Sequence, residues 1–219
     1  MYTVKQYTAQ DYETWNSFVS ASKNGTFLFH RDFMEYHADR FSDFSLIVFD
    51  GQKPVALLPA NRVAHAVHSH QGLTYGSLVL GHKTYLTQVI AAMRALLEHL
   101  HLAGIEKLHI KQIPYMYHKV PAQETDYILF LCKGGLVRRD SLSVIENSSA
   151  LNFIKSRKEA VKRGGKNNLC IAEDDDFDLF WERILIPNLK QRYNAAPVHT
   201  VEEIKLLRQR FPENIRHFN

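Results

Sequence analysis

Hydrophobic and polar residues alternate with the period of a β-strand at several places in the first third of the chain. Residues 2–7 alternate, and residues 45–50 and 54–62 are two β-rich runs joined across Gly51 and Gln52. Two such runs around a glycine turn are typical of a β-hairpin. Residues 73–80 add a further apolar run that ends at Gly81. The pattern therefore predicts a group of neighbouring, mostly antiparallel strands.

Segments with the hydrophobic period of an α-helix lie between these strands and after them. Residues 8–11 have capping-box spacing, and the apolar residues behind them recur on one helix face. A second helix is predicted from about Arg31. The most regular helix is predicted from Thr84, as N-cap, to Gly104. Its apolar stripe consists of Leu86, Val89, Ile90, Met93, Leu96, Leu97 and Leu100.

The remaining pattern divides the chain into two parts. Strands are predicted at residues 107–110, 127–132 and 136–145, the last two joined by a glycine pair. Behind Ile145 we expect only helices. The first starts at Asn147-Ser148-Ser149 and is broken at Gly164-Gly165. The second, over residues 178–193, is kinked or split by Pro187. The third follows a capping box at residues 200–203. The fold class is α/β (α+β), with a mixed, mostly antiparallel sheet flanked by helices in residues 1–145 and a helical segment in residues 146–219.

Composition narrows the class of protein. The 219 residues are 45% hydrophobic and 11% aromatic, which is ordinary for a globular core. A net charge of +4 falls short of a nucleic-acid-binding signature. Cys132 and Cys170 form no disulfide framework, and neither a signal peptide nor a membrane-spanning stretch is evident. We therefore predict a cytoplasmic protein.

The segment over residues 69–78 is the most polar stretch between predicted core elements. It holds two glycines, four hydroxyl groups, an imidazole and an amide. Such a composition suits a loop that lines a binding cleft. A hydrogen-bonded turn that only joins two elements explains it equally well.

Two kinds of catalytic site are weakly supported. His65, His68 and His70 have metal-like spacing, but no cysteine or HExxH element accompanies them, so we predict no metal. No GxSxG elbow, Walker loop or GxGxxG motif marks a nucleophile or a nucleotide site.

The clearest electrostatic feature is a basic run followed directly by an acidic one. Residues 151–170 contain six Lys or Arg against one acid, and residues 171–178 contain five acids and no base. The basic residues can hold a phosphate, a pyrophosphate or a tRNA backbone. Alternatively, they form a solvated helix face that pairs with the acids behind it.

Four segments spread over the chain resemble bacterial FemAB-like proteins of the GNAT acyltransferase superfamily. They are residues 24–34 (NGTFLFHRDFM), 58–61 (LPAN), 69–76 (SHQGLTYG) and 197–204 (PVHTVEEI). The initial strand–helix–helix–strand-pair order is similar to that of a GNAT domain as well.

The resemblance implies a GNAT-like fold with tandem subdomains. Residues 1–145 would form the first, acceptor-side subdomain, and residues 146–219 the incomplete start of the second. It further implies transfer of an acyl or aminoacyl group to an amine, possibly on a peptidoglycan precursor. Acyl-CoA or aminoacyl-tRNA would be the co-substrate, with no permanently bound cofactor.

The resemblance also places the site. The expected catalytic residues are His70 and Tyr75, which can shuttle a proton. Substrate contacts are expected from Ser69, Gln71, Thr74 and His199, the last of these in an inter-domain cleft. Contacts to the donor phosphates are expected from Lys158 and Lys162.

Two departures from the family pattern favour an alternative. Residues 78–84 lack the glycine-rich pyrophosphate loop of a competent GNAT domain. Family members also continue into a second sheet, so the chain is expected to be truncated or a short form. The alternative is a non-catalytic GNAT-shaped binding or assembly module that has lost donor binding. We also expect a homodimer that covers the apolar face of the helix over residues 178–193.

Overall fold

The structure is a computed structural model that describes residues 1–146, 148 and 150–219. It consists of two compact units, Met1–Gly134 and Gly135–Asn219. The sequence places the change of composition at Ile145 instead, and the roles given to the two predicted subdomains stay a prediction. Each unit is described by itself.

A four-stranded antiparallel sheet forms the centre of the first unit. Its order is β1 (Tyr2–Gln6), β2 (Leu46–Asp50), β3 (Lys53–Leu58) and β6 (Val79–Leu80). The register runs from Tyr2 opposite Asp50 to Leu46 opposite Leu58. Gly51 closes the hairpin between β2 and β3 with a φ of 62°, which glycine adopts without strain. The predicted hairpin and the mixed α/β fold class with its antiparallel sheet are confirmed.

A second, three-stranded sheet continues from β3. It contains β4 (Asn61–Val63), β5 (Ala66–His68) and β7 (Lys107–His109). Strands β4 and β5 are antiparallel, whereas β5 and β7 are parallel. The strand predicted over residues 73–80 is shorter in the structure and consists of the two residues of β6. It is shorter because residues 69–78 form hydrogen bonds with the chain that follows β7.

Four helices cover the sheets of the first unit: α1 (Tyr12–Ala21), α2 (Arg31–Met34), α3 (Leu86–Leu102) and α4 (Glu124–Leu131). The capping box before α1 is confirmed, since the Thr8 amide donates to Asp11 Oδ2 over 3.0 Å. The N-cap of α3 is Tyr85 and not Thr84. Thr84 is buried, and its hydroxyl donates to the Val55 carbonyl instead.

The main core lies between the sheets and helix α3. Its members are buried side chains from β2, β3, β5, β6, α3, α4 and neighbouring loops. They include Leu46, Val48, Ala56, Leu58, Val67, Leu78, Leu80, Val89, Ala92, Met93, Leu96, Leu100 and Ile128.

Two predicted strands are wrong. Residues 127–132 lie in and directly behind helix α4, and residues 136–145 form no strand. Short apolar runs fit a helix and a strand equally well. Here Ile128 is 2% exposed and packs into the core beside α3. A helix at this position buries one face against the core and leaves the other face exposed.

The second unit is helical. It contains α5 (Lys155–Lys166), α6 (Phe177–Phe180), α7 (Ile186–Tyr193) and α8 (Val201–Arg210). The predicted break at Gly164-Gly165 is wrong, because α5 continues through both glycines. Of its predicted N-terminus, Asn147 and Ser149 lie outside the described residues, and the N-cap is Ile154.

The predicted effect of Pro187 is confirmed. A π-helical stretch, Trp181–Leu185, separates α6 from α7, and Pro187 lies in the first turn of α7. Proline lacks the N–H that an α-helix interior needs and crowds the preceding turn, so the chain changes its hydrogen-bond spacing just before it. The capping box before α8 is confirmed too, with Glu203 N donating to Thr200 Oγ1 over 3.2 Å.

No helix among the described residues has both the length and the apolar composition needed to cross a bilayer.

Candidate functional site

The loop over residues 69–78 is tied to the chain that continues from β7. Ser69 N donates to His109 O, Lys111 N donates to Ser69 Oγ, and Gly76 N donates to Lys111 O, each over 2.8 Å. A Cβ atom on Gly76 would lie 1.9 Å from Ser69 O. Only glycine permits this close approach, so the second glycine of the loop is explained by packing.

A second set of contacts fixes the other side of the loop. Asn61 is buried, and its amide donates to Gln71 Oε1 over 2.8 Å while its oxygen accepts from Gln71 N over 2.7 Å. Gly72 lies against the buried His37, whose Nε2 is 3.2 Å from Gly72 O. A Cβ atom on Gly72 would come within 2.2 Å of that nitrogen. The loop is therefore pre-formed rather than loosely attached.

His70 is the residue of the loop whose local structure is least explained by packing. It is 3% exposed and has a φ of 62°, which is uncommon for a residue with a side chain. Its ring lies 5.5 Å from that of His37 and 5.4 Å from that of Phe41. Its Nδ1 atom is buried without a hydrogen-bond partner. Backbone strain and an unpaired buried polar atom are features that cluster at functional sites.

The pKa of His70 is lowered to about 3, chiefly by burial and in addition by the neighbouring His37, Arg31 and Lys111. The imidazole is therefore neutral near pH 7. A base with so low a pKa is a poor proton acceptor, whereas a neutral ring can still donate at one nitrogen and accept at the other.

Tyr75 is the second predicted catalytic residue, and it is buried at the far end of the loop. Its hydroxyl donates to Thr26 Oγ1 over 3.2 Å, and its ring stacks on Tyr117 at 5.2 Å. Burial raises the pKa of the Tyr75 phenol, while the bond to Thr26 opposes that change. The phenol therefore keeps its proton near neutral pH and can act as a donor.

The other predicted site residues fall into two groups. Ser69 and Gln71 use their side-chain oxygens in the bonds that anchor the loop, and Thr74 is exposed at its surface. The remaining three belong to the second unit. Lys158 and Lys162 are exposed on α5, and the carbonyl of His199 accepts from Trp181 Nε1 over 3.0 Å. The roles of all of them stay predictions.

The three histidines with metal-like spacing contact different parts of the first unit. His65 Nδ1 lies 3.2 Å from Gly104 O, His68 stacks on His109 at 4.6 Å, and His70 lies against His37. Within residues 1–146, 148 and 150–219, no three His, Cys, Asp or Glu side chains are grouped so that they could hold a metal ion.

A groove of about 680 Å³ lies where β6 leads into helix α3. It is lined by residues of α1, of the β2–β3 hairpin and of the turn over residues 81–84. Three basic side chains face it, namely Lys53, His82 and Lys83, together with one carboxylate, Asp50.

The turn at the bottom of this groove is held from several directions. Gly81 N donates to Val55 O over 3.2 Å, and Thr84 N donates to Gly81 O over 3.0 Å. The buried Lys23 donates its Nζ to Thr84 O over 2.9 Å. Because α3 begins directly behind this turn, the positive end of its dipole adds to the basic side chains. The groove is thus suited to an anion.

The groove is not evident from the pattern of the sequence. The available signal is His82-Lys83 immediately before the most regular predicted helix. Lys53 carried no such signal, because its place beside His82 follows from the pairing of β3 with β6.

Comparisons with known proteins give only distant similarity. No protein-family model matches the sequence, and no curated protein matches it significantly. Among solved structures, the ribosomal-protein-S18-alanine N-acetyltransferase of Escherichia coli is 13% identical, with a TM-score of 0.37 over 49% of this chain and 64% of that chain. The PaiA N-acetyltransferase of Thermoplasma acidophilum, in complex with coenzyme A, is 12% identical, with a TM-score of 0.37 over 64% of this chain and 92% of that chain. A transcriptional regulator of Bacillus halodurans C-125 is 13% identical, with a TM-score of 0.36 over 67% of this chain and all of that chain. Similarity at this level carries no functional argument, so the proposals below rest on the site itself.

Proposed function

We propose that the chain is an N-acyltransferase of the FemAB-like GNAT type, which moves an acyl or aminoacyl group from acyl-CoA or aminoacyl-tRNA to an amine. The observation that carries this proposal is the basic groove at the start of α3, which follows the polar loop along the chain after the two residues of β6. An anionic donor needs such a groove, and an acceptor needs a polar wall near it. A peptidoglycan precursor is the acceptor that the sequence resemblance favours.

In this proposal the phosphates of the donor bind Lys53, His82 and Lys83. The volume of about 680 Å³ lies within the usual range of small-molecule sites. Lys158 and Lys162, the donor contacts expected from the sequence, are the competing candidates. The two candidate sites lie in different units and can be tested separately.

The loop over residues 69–78 supplies the acceptor side. The amine nitrogen attacks the donor carbonyl carbon, and the bond from that carbon to the thioester sulfur or ester oxygen breaks. The amine proton passes to solvent water, which also returns a proton to Tyr75 after each transfer. Neutral His70 orients the acceptor by a hydrogen bond, and protonated Tyr75 donates to the departing thiolate or ester oxygen. Orientation without proton abstraction is the role that fits the lowered pKa of His70.

One observation favours the alternative of a non-catalytic binding module. The loop uses backbone groups of His109 and Lys111, so it occupies the edge where β5 and the chain behind β7 separate. An extended donor cannot pair with those backbone groups while the loop holds them, so this edge offers no donor site, as the alternative without donor binding requires.

Acyl transfer to a panel of amine-bearing peptides, followed with radiolabelled acetyl-CoA, separates the two functions. If the chain is an enzyme, the rate of acyl transfer should fall at least about 10-fold in Lys53→Glu/Lys83→Glu, since each removed cation weakens a phosphate contact. The matched variant Lys190→Glu/Arg192→Glu changes the net charge equally on α7 and should keep the rate. No binding of acetyl-CoA and no transfer to any acceptor would favour the binding module, which has lost donor binding.

A further inference from the structure

The acidic run of the second unit has its partners elsewhere than the sequence suggests. Glu173 forms a two-bond pair with Arg216, at 2.9 and 2.5 Å. Asp174 Oδ1 lies 3.1 Å from His217 Nδ1, and Asp175 accepts from Arg208 over 2.8 Å. Asp178 pairs with Lys205, and Asp176 caps α6 through Leu179 N. The partners of all five acids therefore lie in α6, in α8 and in the chain that follows α8.

Helix α5 is consequently left with an unbalanced charge. Its six Lys and Arg residues face one acid, Glu159, and within residues 150–219 none of the six pairs with a carboxylate. Lys155, Lys158, Lys162 and Lys166 are spaced by three or four residues, which places them on one face of the helix. The alternative in which this face pairs with the acidic run is wrong.

Large apolar side chains flank this basic face at both ends. Phe153 and Ile154, just before α5, are 57% and 67% exposed. Leu169 and Ile171, just after it, are 71% and 83% exposed, and Val161 within the helix is 76% exposed. Exposed apolar groups on both sides of a lysine-rich helix are costly in water unless a partner covers them.

We infer that α5 and its flanks, residues 151–171, bind the surface of an anionic lipid bilayer. The lysines attract the negative headgroups, and Phe153, Ile154 and Leu169 enter the boundary between headgroups and acyl chains. Positive charge combined with aliphatic side chains is the composition of interfacial membrane segments. A membrane is favoured over RNA because aliphatic side chains do not stack on bases, and Phe153 is the single aromatic residue of the segment.

Co-sedimentation of the whole chain with vesicles tests this inference. We expect binding to phosphatidylcholine vesicles that contain about 30% phosphatidylglycerol, little binding to phosphatidylcholine alone, and weaker binding as salt is raised. Binding equal for both vesicle types, or no binding to either, would overturn the inference.

Two variants separate the charge and the apolar contributions. Lys155→Glu/Lys166→Glu should weaken vesicle binding by at least about 25-fold, at roughly 5-fold per lost cation. Phe153→Ser/Ile154→Ser should weaken it by about 10-fold or more through lost apolar burial. The matched controls, Lys190→Glu/Arg192→Glu and Tyr193→Ser/Val198→Ser, change exposed residues elsewhere in the second unit and should bind like the wild type. Circular dichroism checks that all variants are folded.

Other occupants give different results. If RNA is the partner, a tRNA mixture binds, Phe153→Ser/Ile154→Ser does not weaken that binding, and anionic vesicles are not bound. If a second copy covers the apolar flanks, light scattering finds a dimer that Phe153→Ser/Ile154→Ser dissociates, again without vesicle binding. Either result would overturn the membrane inference.

Discussion

The neutral state of His70 predicts how the stability of the first unit depends on pH. His70 has a pKa of about 3 in the folded chain against 6.5 for the free side chain. Because the pKa of His70 is lower in the folded chain, the unfolded chain binds a proton more readily. The free energy of unfolding therefore decreases as the pH falls from 6.5 toward 3. Above pH 6.5 both states are neutral, and His70 contributes no pH dependence.

The expected size follows from the two pKa values. Between pH 7 and pH 5, protonation of the unfolded chain at this one residue lowers the free energy of unfolding by about 2 kcal/mol. His70→Asn removes the titrating group and suits a positive φ, since asparagine tolerates this conformation better than most residues. Between pH 7 and pH 5, the free energy of unfolding of the variant should therefore decrease by about 2 kcal/mol less than that of the wild type.

Urea unfolding at pH 5, 6, 7 and 8 measures the effect. Trp15 is fully buried in the first unit and reports its unfolding when Trp181 of the second unit is replaced by phenylalanine in all samples. His101→Asn, an exposed substitution on α3, is the control and should follow the wild-type profile. Parallel profiles for the wild type and His70→Asn would refute the burial argument for His70.

Two further predictions concern the anchoring of the loop. Gly76→Ala should destabilise the first unit by about 3 kcal/mol, because its Cβ would overlap the Ser69 carbonyl. Gly135→Ala should be nearly neutral, because no atom lies within 4 Å of its Cβ position. Urea unfolding compares the two variants. Asn24→Ala should cost about 2 kcal/mol, since the buried amide bonds Leu78 O and Leu80 N, both at 2.8 Å, and amide hydrogen exchange at Leu80 should accelerate. Equal stability of Gly76→Ala and Gly135→Ala, or unchanged exchange at Leu80, would contradict the described packing.

Local signals in the sequence predicted the elements that local physics determines. The capping boxes before α1 and α8, the hairpin turn at Gly51 and the stripe of α3 depend on neighbouring residues, and each is present. The strands predicted over residues 127–132 and 136–145 failed because the choice between helix and strand depends on a distant partner. In α4 that partner is the core cluster beside α3, which Ile128 enters.

The candidate site shows the same division. The polar composition of residues 69–78 correctly drew attention to a structured loop, yet the sequence did not reveal that Ser69 and Gln71 serve as anchors. Those roles come from Lys111 and Asn61, which are remote in sequence. The acidic run likewise pairs with Arg208 and Arg216 rather than with the adjacent helix, because chain reversal behind α8 brings them together.

Calorimetric titration of acetyl-CoA into the 219-residue chain tests the proposed donor site most directly. We expect saturable binding that weakens at least about 10-fold in Lys53→Glu/Lys83→Glu and is unchanged in Lys158→Glu/Lys162→Glu. No saturable heat with the wild type, or a loss confined to Lys158→Glu/Lys162→Glu, would contradict it.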